Sequence, residues 1–406
     1  MHVVKTLYHK LAIFSCLAAT LLTGNLYAQS TSISPQLNAE LKKSKPGQII
    51  NVEELNLSTT TTPTIDVNRE DVPGTQFLLS DMPEYFHTGN GIAMQERVWA
   101  GTVRLYTYHV PTPTDPKKKI TAVIENLSNA PMTFRFTRYA FPTPGNYYQK
   151  VAKEGMTQFL SKKNPYKKPR RLNPGERMVI DPQMDKYVTK KDDLVHAFHE
   201  FEISEGGRVT VFQCDIDDDP LTVIDTLPKL PRKFKDHPRS GAGRGLFKIA
   251  DYNITPSGED YVYDTAEGIK QIVLADGKRD NWMTGYDHIT DLPIANKGNY
   301  GALYNIKINW KSSDNKNLAL IAYTPLDTGK WCRHRAMVLN VNHGNHRGGT
   351  IQIPSKNVTW DQLPQAVLIQ SYKINNNSNV QTIELQYTPP GASCLPIPFV
   401  LVPYEK

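Results

Sequence analysis

The run Val103-Arg104-Leu105-Tyr106-Thr107-Tyr108-His109-Val110 decides the fold class. β-Branched and aromatic residues at this density suit a pleated, half-buried surface, and successive side chains point to opposite faces. Working outward, Ile120-Thr121-Ala122-Val123-Ile124-Glu125-Asn126, Met132-Thr133-Phe134-Arg135-Phe136-Thr137 and Arg208-Val209-Thr210-Val211-Phe212 read the same way. The Pro-rich link from Pro111 to Pro116 suits a hairpin or a wide loop. Further strand-like runs follow at Gly268 to Leu274, Gly301 to Trp310, Asn317 to Thr324, Ala336 to Val341, Gly349 to Ile353, Gln365 to Tyr372, Val380 to Tyr387 and Phe399 to Val402. Short strands at this spacing, with Gly, Asn and Pro between them, predict a β-sandwich. One segment reads as helix, Tyr147 to Leu160, with Val151, Met156, Phe159 and Leu160 near helical offsets and Gly155 weakening it. The expected fold is mainly β, with two β-sandwich-like domains joined by a basic Pro-rich linker.

Composition and punctuation divide the chain. Residues 1–28 have the form of a signal peptide: Lys5 and Lys10 lead the apolar Leu11 to Leu22, and Asn25-Leu26-Tyr27-Ala28 offers a small-residue cleavage site. Residues 29–75 read as a polar leader or linker, with a short strand at Ile49 to Leu57. A β domain is expected over 76–226 and a second, sandwich-like one over 246–406. Between them the linker 227–245 carries Pro228, Pro231 and Pro238 among Lys229, Arg232, Lys233, Lys235 and Arg239. At 39% hydrophobic residues the chain has enough apolar matter for a core, which excludes wholesale disorder. After the leader no run of about 18 apolar residues appears, so no transmembrane segment is expected in the mature chain.

Export sets the compartment as periplasm, cell surface or extracellular space. Removal of Lys5 and Lys10 leaves 45 Lys and Arg against 40 Asp and Glu, a mildly basic chain that suits anionic surfaces. Of the cysteines left, Cys214, Cys332 and Cys394, at most one internal pair can form, and Cys332 with Cys394 is the expected one. Neither a zinc ribbon nor a Cys-x-x-Cys motif is present.

Four constellations are candidates for chemistry. Lys162, Lys163, Lys167, Lys168, Arg170 and Arg171 form a basic patch for an anionic polymer or membrane surface, and with Tyr166 the one interleaved aromatic, nucleic acid is not the expected partner. Asp215, Asp217 and Asp219 have the alternate spacing with which a loop holds calcium as a cofactor; the commoner reading is a solvated acidic loop. His196 and His199 beside Glu200 would share a helical face and bind zinc there, but on a strand they point apart. Asn281, Trp282, Tyr286, Asp287, His288 and Tyr300 lie in a Gly-, Asn- and Pro-punctuated region expected to be loop. There Trp282, Tyr286 and Tyr300 can stack on sugar faces while Asp287 and His288 bond hydroxyls, the alternative being that the aromatics plug the end of the sandwich. His343 to Gly349 reads as a turn. No phosphate-binding glycine motif, serine nucleophile elbow or catalytic carboxylate pair stands out.

Two stretches, Pro83-Glu84-Tyr85 through Val110 and Leu274-Ala275-Asp276-Gly277-Lys278 through Asn296-Lys297-Gly298-Asn299-Tyr300-Gly301, resemble uncharacterised secreted bacterial proteins labelled copper amine oxidase N-terminal-domain proteins. The label does not imply oxidase activity here. True copper amine oxidases make a quinone from the Tyr of Thr-x-x-Asn-Tyr-Asp/Glu; Thr143-Pro144-Gly145-Asn146-Tyr147-Tyr148 has Tyr148 where the acid belongs, and no His-x-His pair occurs. The expectation is an exported, non-enzymatic envelope or extracellular binding protein for a cell-envelope polymer or glycan. The alternatives are an enzyme on such a polymer, which should show pocketed carboxylates or a metal, and a calcium-stiffened structural protein.

Overall fold

Thr75–Ser80 stands at the centre of the fold, pairing in parallel with Gly101–His109 on one side and antiparallel with Arg244–Phe247 on the other. In this computed structural model the described residues are 33–87, 89–111, 116–232, 241–257, 260–324, 336–355, 365–375 and 380–406. The fold is mainly β, as expected. One sheet of eight strands runs in the order Leu292–Asn296, Met283–Asp287, Arg244–Phe247, Thr75–Ser80, Gly101–His109, Val195–Ile203, Met132–Arg138, Arg170–Leu172. Its period-two alternation feeds two cores. Leu78, Leu105, Phe134 and Phe201 pack against Met94, Ile124, Val209 and Val211 of a four-stranded sheet. The opposite face, with Phe77, Leu79, Tyr106 and Phe198, joins residues of a five-stranded and a seven-stranded sheet, among them Leu320, Phe399, Tyr304 and Leu385, in the largest cluster.

The strands expected beyond residue 268 are found with small shifts of their ends, such as Leu303–Lys311 and Asn317–Tyr323. On the solvent face of the seven-stranded sheet, amides line up in register. Asn305 bonds Asn253 at 3.4 Å and Gln386 at 3.1 Å, and Asn340 bonds Gln386 at 3.4 Å and Thr350 at 2.7 Å.

The helix is Tyr148–Leu160, and Gly155 has a packing reason. A Cβ there would fall 2.6 Å from the imidazole of His196 on the strand beneath, so glycine lets helix and sheet close up.

The leader and the boundary need correction. Residues 35–43 form a helix, capped by Ser34, whose Oγ accepts the Leu37 N–H at 3.1 Å, and opened by a proline. Leu37 and Leu41, four apart, cover the outer face of the five-stranded sheet with Ile321, Leu368 and Val400. Ile49–Asn51 pairs with Gln365–Tyr372, and Val67–Val72 with Asp251–Pro256. Sheet pairing also crosses the expected linker 227–245, because its last residues belong to the strand Arg244–Phe247 beside Thr75–Ser80. Thr31–Lys406 is one compact unit. Residues 233–240 of that linker and the signal-like segment 1–28 lie outside the described residues.

Two buried arginines tie early and late segments together. Arg104 reaches Glu200 at 2.7 Å and Asp251 at 2.5 Å. Arg244 meets Asp287 at 2.9 Å and the carbonyls of Ala93 and Leu230 at 2.9 and 2.8 Å. Cys394 is disulfide-bonded, with its expected partner Cys332 outside the described residues, and Cys214 is free and buried. Among the described residues no helix is long and apolar enough to cross a membrane.

Candidate functional site

The segment from Trp282 to Tyr300, expected as loop, is a hairpin: Met283–Asp287 pairs with Leu292–Asn296, with Tyr286 opposite Pro293. Glycine and proline inside the two runs hid the strands, since both are poor strand residues. The hairpin places Trp282, Tyr286 and His288 along a groove of about 670 Å³ that also takes in Arg69, Trp99, Lys248 and Tyr252. Trp99, in the turn between Gly91–Val98 and Gly101–His109, is 56% exposed, which makes it the most open large apolar side chain of the groove. Its backbone is held by Gln76, which accepts the Trp99 N–H at 2.7 Å and donates to the Trp99 carbonyl at 2.8 Å. The Arg69 guanidinium lies 4.2 Å over the Tyr252 ring and 2.5 Å from Asp280. His288 bonds the buried Glu96, whose carboxyl burial nonetheless holds above its ordinary range.

Asp287 does not face this groove. It is buried and accepts from Arg232 and Arg244, both at 2.9 Å, and from Thr290 at 2.8 Å. Burial pushes its pKa up, but the two arginines outweigh that and hold it below the usual carboxylate range. Asp287 therefore locks the hairpin to the sheet. Tyr300 opens into a different cavity.

That second cavity, of about 450 Å³, is walled by Tyr85, Tyr106, Tyr108, Tyr148 and Tyr300, with Asp81, Glu84, Lys297 and Ser393. Its residues come from the end of the central strand, the neighbouring strand, the helix, the turn after the hairpin and the chain near residue 391. Tyr106 and Tyr108, two apart on one strand face, lie parallel with centroids 6.4 Å apart. The Tyr85 hydroxyl donates to that of Tyr148 at 3.5 Å. Asp81 accepts the Ala242 N–H at 2.7 Å through Oδ2, while Oδ1 is buried with no partner among the described residues. Gly241 carries a φ of +79°, and a Cβ there would strike the Asp81 carbonyl, so the chain can close on the cavity only as glycine. Burial, then the nearby Glu84 charge, hold Asp81 well above its ordinary pKa despite the Ala242 N–H; burial raises Glu84 to about 7.

This is a pocketed carboxylate pair, the mark expected of the enzyme alternative, and the sequence reading passed over it. The signal was present: both stretches that carried the family resemblance reach the cavity, through Glu84, Tyr85, Tyr106 and Tyr108 and through Lys297 and Tyr300.

The other candidates fall elsewhere. Lys162, Lys163, Lys167, Lys168 and Arg171 are exposed with no ion-pair partner among the described residues. Arg170 is half-buried over the rings of Phe134 and Phe136 and donates to the carbonyls of Val179 and Ile180 at 2.9 and 2.7 Å. It therefore anchors the patch and does not belong to its charged face. At the acidic loop, Asp215 pairs with Lys118 and accepts from Asn90 at 2.8 Å, and Asp219 caps the turn Pro220–Val223. Among the described residues no three or more His, Cys, Asp and Glu side chains converge as a metal site. Alternate pointing places His196 and His199 on opposite faces of Val195–Ile203, the first bonded to the Thr107 carbonyl at 2.7 Å and the second 3.3 Å from Asp181. Tyr147 is 37% exposed at the helix start. A hollow of about 600 Å³ lies over the amide row of the seven-stranded sheet, where the amides already bond one another.

No family model matches the chain, and no curated protein matches it.

Proposed function

We propose that this chain is an exported, non-enzymatic binding protein of the bacterial envelope or extracellular space, holding a glycan or other hydroxyl-rich envelope polymer in the aromatic groove. One observation carries the reading: the exposed Trp99, from the turn between Gly91–Val98 and Gly101–His109, and Trp282, Tyr286 and His288, from the hairpin, line the same groove of about 670 Å³. Aromatic faces cover the apolar faces of sugar rings, and Arg69, Asp71 and Lys248 at the same groove offer partners to hydroxyls. The five exposed cations of 162–171 supply a longer-range, salt-screened attraction to anionic envelope polymers. Kinship with secreted proteins of the copper amine oxidase N-terminal-domain kind belongs to the same proposal and rests on the stretches 83–110 and 274–301.

The test is co-sedimentation of residues 29–406 with purified envelope fractions at low and high salt. Trp99→Ala and Trp282→Ala should each remove most of the salt-resistant pelleting, and neutralising Lys162, Lys163, Lys167, Lys168 and Arg171 should remove the salt-sensitive part. Wild-type protein that stays in the supernatant at both salts sinks the proposal. Release of soluble fragments from the pelleted polymer, abolished by Glu84→Gln, would replace it with the enzyme reading.

A further inference from the structure

We infer that the tyrosine-walled cavity holding Asp81 and Glu84 is a binding site for an organic cation, an alkylammonium group, separate from the aromatic groove. Several other buried or half-buried acids of this chain are ion-paired. Glu200 and Asp251 meet Arg104, Asp280 meets Arg69, and Asp287 meets Arg232 and Arg244. Asp81 and Glu84 form no ion pair among the described residues, and Asp81 Oδ1 is buried without a hydrogen-bond donor. A buried acid is ordinarily paired, and an orphaned one asks for a partner.

The nearest cations do not fill that need. Lys297, on the cavity wall, places its ammonium 5.6 Å from the centroid of the Trp282 ring on the groove side. His109 is committed to Ser80 at 2.8 Å and to the Pro83 carbonyl at 2.9 Å. A neutral hydroxyl could satisfy Asp81 Oδ1, but it would not offset the repulsion between two neighbouring carboxylates. Positive charge does so, and the faces of Tyr106, Tyr108, Tyr148 and Tyr300 attract the same charge through their π-systems. A divalent metal fits less well, because among the described residues no third His, Cys, Asp or Glu joins the pair.

Without a cation a proton takes its place, since burial raises Glu84 to about 7 and holds Asp81 well above its ordinary value. An entering ammonium favours the ionised forms and expels that proton. The groups facing the pair are the phenols of Tyr85, Tyr106, Tyr108, Tyr148 and Tyr300, all of which burial pushes upward, and Lys297. His109, lowered to about 4 mainly by burial, stays neutral nearby. The carboxylates therefore govern the response around neutral pH.

The experiment is calorimetric titration of residues 29–406 with butylammonium and tetramethylammonium, using 1-butanol as the uncharged counterpart, at about pH 6 and about pH 8. Ammonium binding with proton release, no binding of 1-butanol, and affinity rising about tenfold between the two pH values are expected. Glu84→Gln and Asp81→Asn, which keep a hydrogen-bonding oxygen, should each weaken binding about tenfold or more, while Trp99→Ala leaves it unchanged. If Asp81→Asn fails to fold, Glu84→Gln and the 1-butanol control still decide. No ammonium binding at the higher pH, equal affinity for 1-butanol, or full affinity in Glu84→Gln overturns the proposal. Loss of envelope pelleting in Trp99→Ala with ammonium binding intact would separate this site from the groove.

Discussion

The aromatic groove and the acid cavity flank one turn, Asn296 to Tyr300, yet they are electrostatically opposite. Beside and beneath the groove, buried charge is compensated: Arg69 pairs with Asp280, and Arg232 and Arg244 with Asp287. In the cavity, two carboxyls are left without a counter-charge among the described residues, and Lys297 between the two places turns to Trp282. The contrast separates two uses of buried charge. Paired charges fix the geometry of a surface that recognises by shape and stacking, whereas unpaired charge is a standing cost to the fold that only a ligand or a proton relieves.

The largest effect should come from breaking a pair. Arg104 stands on the strand that carries Tyr106 and Tyr108 and reaches Asp251, the neighbour of the groove's Tyr252. Among the described residues, Arg104→Ala leaves half-buried Asp251 with only the Thr75 hydroxyl and buried Glu200 with Arg138 at 3.4 Å as its one remaining ion pair, which should cost about 3 kcal/mol in urea unfolding. A loss under about 1 kcal/mol would mean that water or rearrangement compensates these acids and that the paired and unpaired classes are not truly different.

Next in size is the pH response, where the two classes should have opposite signs. Glu84 has a folded pKa of about 7 against an ordinary 4.5, so the folded state binds the proton more tightly. Wild-type stability therefore falls relative to Glu84→Gln as pH rises from about 4.5 to about 7, by up to about 3 kcal/mol, and the difference is flat above that window. Asp287, held below its ordinary value, does the reverse. Its contribution is present above the ordinary carboxylate pKa and is lost as pH falls through the folded one, so Asp287→Asn should be less stable than wild type near neutrality and converge with it in acid. Thermal unfolding from about pH 2 to pH 8 checks both. Parallel curves for the two variants would break the comparison.

What could be read from the sequence follows the same division. The strand runs were legible because alternation and branched residues are local signals: all of Val103 to Val110 but its last residue falls in Gly101–His109, and Gln365 to Tyr372 coincides with Gln365–Tyr372. Trp282, Tyr286 and His288 were legible as a group because one hairpin holds them together. The acid cavity was not, because its walls come from residues 81–85, 106–108, 148, 241–242, 297–300 and 391–393, and nothing local marks Asp81 and Glu84 as neighbours of Tyr300. The helix Pro35–Lys43 was missed for a different reason. Ser34, Pro35, Leu37 and Leu41 are a start signal and a half-buried stripe, but the polar residues around them masked it.

The smallest effect on stability, and the sharpest for the groove, is expected at Trp99. Its side chain is 56% exposed, and the turn beneath it is held through backbone atoms by Gln76, so Trp99→Ala should change unfolding free energy by no more than about 0.5 kcal/mol. The same substitution removes the most projecting aromatic face of the groove and should cut polymer binding. Gln76→Ala is the companion variant: it leaves the ring in place but frees its backbone, so binding should weaken partway and stability fall by about 1 kcal/mol for the lost hydrogen bonds. If Trp99→Ala binds the polymer as wild type does while Gln76→Ala does not, the turn contributes through its backbone shape. The recognising surface would then be the hairpin from Trp282 to Tyr300 alone.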